Sequence, residues 1–168
     1  MSSPVICAVA VVSRSGSPLY FKSFGGGDTA GLQLSLFAAL DVVSARLSRG
    51  ASSAGGAGGG GAPAAAAGGR PAGDKFLGLL CPVEGAKVFG YVTPARTTLL
   101  LAVRDVLLLE ERVRELFRAL HRLYVDHAVC NPFASLDARV TSPAFEEAVY
   151  RLVDEADGTL EYRGPLPL

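Results

Sequence analysis

The chain has 168 residues, 49% of them apolar, with 16 basic against 16 acidic side chains. That length suits one folding unit with a real core, and the balanced charge excludes the basic field that nucleic-acid binding needs. Cys7, Cys81 and Cys130 are far apart and lack Cys-x-x-Cys spacing, which argues against a disulfide framework or a zinc site and fits a reducing cytosol.

The opening "MSSPVICAVAVVSRSG" has no Lys or Arg ahead of its apolar run, so no signal peptide is expected. Within it "VICAVAVV" is continuously apolar and β-rich, which predicts a strand in the middle of a sheet. "SRSGSP" reads as a turn and "LYFKSF" as a second strand, making residues 5–24 a hairpin. Glycines 25–27 break the chain, and Asp28 is placed to cap a helix. Leu32, Leu36, Leu40, Val43 and Leu47 then recur at helical spacing, Phe37 widens the stripe, and Gly50 is expected to end the helix. Asp41 sits in the middle of this apolar segment.

Residues 50–73 are almost pure Gly and Ala, with Pro63 and Pro71. Such a segment has little to bury and much backbone entropy to lose, so it is expected to be a disordered insertion. A phosphate-binding loop is excluded because no Lys-Ser/Thr follows the glycines. Closure entropy grows slowly with loop length, so the insertion fits inside one domain spanning residues 1–158, with 159–168 as a flexible tail.

"KFLGLLCP", "KVFGYVTP" and "TTLLLAVRD" follow as three strands, with tight turns at "VEGA" and "PAR". "TLLLAVRDVLLL" looks membrane-like, but Arg104 and Asp105 interrupt it and neither side reaches the ~20 residues that span a bilayer, so a soluble chain is expected. Residues 108–128 carry the strongest helical pattern. Val113, Leu116, Phe117, Leu120, Leu123 and Tyr124 share one face; Arg112, Arg114, Glu115, Arg118 and Arg122 lie mostly on the other. A last helix is expected from Ser142 as cap, with Pro143 first and Glu146 and Glu147 in its opening turn. Phe145, Val149, Leu152 and Val153 make its core face. The order β-β-α-β-β-β-α-α predicts an α/β fold, with five strands in two antiparallel groups flanked by helices.

The stretch "HRLYVDHAVCNPF" gathers two histidines, an aspartate and a cysteine before Asn131, Pro132 and Phe133. A cysteine-based centre fails on geometry: His121 and His127 lie about 240° apart around a helix and cannot converge. A second reading is a peptide signal, since Asn-Pro-Phe resembles the tripeptide bound by EH domains of endocytic adaptors. A third is structural. Asn131 tolerates the left-handed conformation that ends a helix, Pro132 cannot continue one, and Phe133 would tuck beneath the turn and set the angle between the last two helices. On that reading Phe133→Ala is expected to lose about 3–5 kcal/mol.

"FRALHRLYVDHAVCNPF" followed by "SPAFEEAV" resembles the C-terminal signature of the sedlin family. "SLFAALDVVSARL", around Asp41, resembles the family's first helix, and "FLGLLCPVEGAKVFGYVTPARTTLLLAV" its central strands. The Gly/Ala loop is longer than the family pattern, and the connection after Asp105 is shorter. The resemblance implies a longin-like (profilin-like) fold and a non-catalytic small subunit of TRAPP, a vesicle-tethering assembly that is also an exchange factor for Rab GTPases. It implies other small TRAPP subunits and large peripheral ones as partners, a Rab only indirectly, and no cofactor, catalytic residue or metal. Location would be cytoplasmic, peripherally at ER and Golgi membranes in ER-to-Golgi and Golgi transport. Asp41 with Leu40, Val43 and Tyr124 are the expected partner contacts; Lys87, Phe89 and Tyr91 lie in resembling motifs and read equally well as strand core. Asn131, Pro132, Phe133, Ser142 and Phe145 are the expected structural motif. An alternative is a longin-type regulator of membrane fusion, a class that carries a coiled coil and a membrane segment after the longin domain.

Overall fold

The computed structural model describes residues 4–25, 28–52, 75–83, 85–106, 109–133, 135 and 137–160. Two strands, β1 (Ile6–Val12) and β2 (Pro18–Ser23), lead into α1 (Thr29–Ser52). β3 (Phe76–Val83), β4 (Ala86–Val92) and β5 (Thr98–Arg104) follow, then α2 (Glu110–Tyr124), a π-helical turn (Val125–Val129) and α3 (Pro143–Leu160). The five strands form one antiparallel sheet in the order β2-β1-β5-β4-β3. The α/β element order is the one the sequence pattern predicts, and the fold is longin-like, as the resemblance implies. The membrane-like run "TLLLAVR" is β5, buried in mid-sheet between β1 and β4.

Alternation along the strands sorts the core into two layers. Val9 and Val11 of β1 and Leu99, Leu101 and Val103 of β5 face α2 and α3. Ala8, Ala10 and Val12 with Leu100 and Ala102 face α1. The alanines on that second face leave room for α1, which inserts Leu36, Ala39 and Val43. The opposite layer is aromatic: Tyr91 stacks on Phe117 at 5.6 Å, and Phe76 lies 5.7 Å from the same ring. The sheet is therefore the middle of three layers.

Local signals explain most boundaries. Asp28 accepts from the Ala30 amide at 3.1 Å and starts α1. Ser142 accepts from the Phe145 amide at 3.4 Å and starts α3. Gly85, with φ 73°, supplies the left-handed residue of the β3–β4 turn. Gly50 does not end α1, which continues to Ser52; a glycine inside a helix costs only about 1 kcal/mol against alanine, so it is a weak stop by itself. The expected insertion at 50–73 otherwise lies outside the described residues, as does most of the expected tail at 159–168.

Candidate functional site

α1 presents two contrasting sides. From Leu34, steps of four, three and four reach Ala38, Asp41 and Ala45, which fall within about 60° around a helix. All four are exposed, Leu34 at 73%. Asp41 is the only carboxylate in the helix, and among the described residues no cation pairs with it. The result is an apolar strip with one unshielded negative charge at its centre. Leu40 is half-buried at the edge of this strip. Val43 and Tyr124 do not belong to it: both are 3% exposed, Val43 beneath α1 and Tyr124 beneath α2. Their expected role as partner contacts is replaced by a core role, because Val43 sits two residues after Asp41 and so turns about 200° away from it. Phe89 and Tyr91 are likewise core, while Lys87 reaches Asp105 at 2.6 Å.

The inner edge of α1 is anchored by a residue that pattern reasoning passed over. Arg46 donates to the carbonyls of Leu77 and Leu79 on the edge strand β3, at 2.6 and 2.7 Å. No local signal marks this pair, since the partners are far apart in sequence. A similar long-range tie joins the two ends of the fold. The Asp157 carboxylate accepts from the amides of Val5 and Ile6 at 3.1 and 3.0 Å. Burial pushes its pKa up, partly offset by those two hydrogen bonds.

On the opposite layer a groove of about 640 Å³ runs between α2 and α3, over Ala119, Leu123, Ala148 and Leu152, with Arg122 and Arg151 on its rim. The segment after the π-helical turn borders a second cavity, of about 330 Å³, lined by Tyr124, His127, Asn131, Val140 and Ser142. There the expected turn geometry needs correction. The Cys130 amide bonds to the Val125 carbonyl five residues back at 2.8 Å, so the helix ends by widening. Cys130 stays right-handed, and Asn131 has no positive φ. Asn131 acts through its side chain, whose Oδ1 accepts from the Phe133 amide at 3.1 Å. Phe133 is 97% exposed, not tucked beneath the turn. Phe145, by contrast, is fully buried, 5.0 Å from the Tyr20 ring and 6.3 Å from the His127 ring.

The polar residues of this stretch do not converge. His121 leans on Tyr91 at 5.8 Å, His127 leans on Phe145, and Cys130 is exposed. Burial lowers the His121 pKa, with the Lys75 charge adding to it. Among the described residues no three His, Cys, Asp or Glu side chains are grouped to hold a metal ion.

Comparison with known proteins gives a consistent result. The family described as Sedlin matches residues 11–155. The trafficking protein particle complex subunit 2-like protein of Bos taurus is 31% identical over 143 residues, covering 84% of this chain and 91% of that protein. The protein of the same name from Dictyostelium discoideum is 26% identical over 154 residues, covering 89% of this chain and 96% of that one.

Proposed function

The chain belongs to the sedlin family, and from that premise we propose that it is a non-catalytic subunit of a trafficking protein particle, the TRAPP vesicle-tethering assembly. It works as an adaptor between other small subunits and the large peripheral ones. It serves a Rab GTPase only indirectly, through an assembly whose exchange chemistry lies in other chains. Its place is cytoplasmic and peripheral to ER and Golgi membranes, reached through the assembly, in ER-to-Golgi and Golgi transport.

One observation carries the adaptor reading: the exposed strip of α1, with Leu34, Ala38 and Ala45 around Asp41. An apolar helix face of this kind is better covered than solvated. A lone carboxylate at its centre sets register with a cation or an N–H group on the partner. Truncating one side of such a buried pair costs about 2–5 kcal/mol, mostly by stranding the other side.

Co-expression with the small subunits tests this. Purification through a tag on this chain should yield a stoichiometric complex that co-elutes on size exclusion. Elution of the chain alone, folded and apart from every small subunit, would contradict it.

A further inference from the structure

The family reading leaves one feature unused: the exposed turn at Asn131, Pro132 and Phe133. Phe133 is 97% exposed, well beyond Leu34 at 73%. A phenyl ring kept in water contributes no burial, so the ring stabilises nothing in this fold. The backbone before it, in contrast, is hydrogen-bonded to its own chain. Asn131 Oδ1 accepts from the Phe133 amide at 3.1 Å and closes a one-turn loop over Pro132. Proline fixes its own φ inside that loop. The tripeptide is thus held by its own atoms with its aromatic side chain pointing out.

Its surroundings keep it accessible. Val129, Cys130, Asn131 and Pro132 before the ring are exposed, as are Ser135, Asp137, Ala138 and Arg139 after it. A π-helical turn, Val125–Val129, ends the helix just before this point, and the core position after Ser142 belongs to Phe145, which is fully buried. The wall behind the turn is tied to the sheet edge, since the Val140 amide donates to the Leu19 carbonyl at 2.9 Å.

We propose that Asn131-Pro132-Phe133 is a docking peptide built into a folded domain, taken by a partner module that offers one apolar pocket for the Phe133 ring and recognises the closed Asn-Pro turn. That is the ligand chemistry of an EH domain. Preorganisation favours the turn over a disordered peptide of the same sequence, because less chain entropy is lost on binding. The site lies at the end of α2, apart from the outer face of α1, so one chain can hold its assembly and a second partner together.

A purified EH domain is the probe, titrated with the full chain. Saturable binding is expected for the wild type. Phe133→Ala and Asn131→Ala should each weaken it at least about tenfold, as removal of a central aromatic anchor or its support does. Phe133→Ala should melt with the wild type and still co-purify with the small trafficking-particle subunits. No binding by the wild type, or equal binding by Phe133→Ala, overturns the proposal. A melting temperature lowered by several degrees in Phe133→Ala also overturns it, because the ring would then be packed and not presented. Loss of the small subunits with that variant would overturn the separation of the two surfaces.

Discussion

Arg46 holds Leu77 across 31 residues of sequence: its guanidinium donates to the Leu77 carbonyl at 2.6 Å and, with its second nitrogen, to Leu79 at 2.7 Å. β3 is an edge strand. One side chain therefore fastens α1 to the sheet and blunts an edge that could otherwise pair with another chain.

Arg46→Ala should lower stability by about 1–3 kcal/mol, the range for hydrogen bonds made by a charged donor. Arg46→Lys should fall between, since an ammonium cannot span two carbonyls with the same planar fork. Urea unfolding measures both. An Arg46→Ala midpoint equal to the wild type would show the fork to be incidental.

Asp157 makes stability depend on pH with an unusual sign for a carboxylate. Burial raises its folded pKa above the ordinary 3.8, despite the amides of Ile6 and Val5. The folded state then binds the proton more tightly than the unfolded state does. Its contribution is fully present below the unfolded pKa and is lost as pH rises through the folded pKa. Asp157→Asn keeps an acceptor oxygen and cannot ionise. The melting temperature of the wild type should therefore fall relative to this variant as pH rises from about 3.5 to 7. A wild type that gains on the variant over that range would reverse the assignment.

Two phenylalanines twelve residues apart should behave oppositely. Phe145 is fully buried against Tyr20 and His127, so Phe145→Ala should cost about 3–5 kcal/mol. Phe133 is almost wholly solvated, and Phe133→Ala should shift the thermal midpoint by no more than a surface substitution does. Equal losses in the two variants would mean that Phe133 packs in solution.

These two residues also mark how far the sequence could be read. Phe145 was legible because Val149 and Val153 repeat its position at helical spacing after a Ser-Pro start. Periodicity reports which face is buried, and among the described residues it places the strands and helices within a few residues. Phe133 has no such periodic partner. Its surroundings are decided by a side chain bonding to a backbone amide, Asn131 Oδ1 with the Phe133 N–H. Asp41 is exposed, but not all of its expected companions share its face. Val43 and Tyr124 share its neighbourhood in sequence or motif and face the core, while Leu34 and Ala38, seven and three residues before it, share its exposed face. Arg46 and Asp157 act across the fold, where local pattern carries no signal.

Asp41→Tyr should fold like the wild type, because residue 41 points to solvent, and should lose the partner that covers α1. Matching far-UV circular dichroism and melting curves would establish the first half. A cooperative unfolding transition displaced by more than a few degrees would instead place Asp41 among the residues that hold the fold.

The most direct test of the central claim is native mass spectrometry of assemblies captured from cells on the tagged wild-type chain and on Asp41→Tyr, side by side. The account predicts small and large trafficking-particle subunits with the wild type and their loss with the variant. A wild-type chain recovered with no such subunit, or an Asp41→Tyr chain that retains them all, would contradict it.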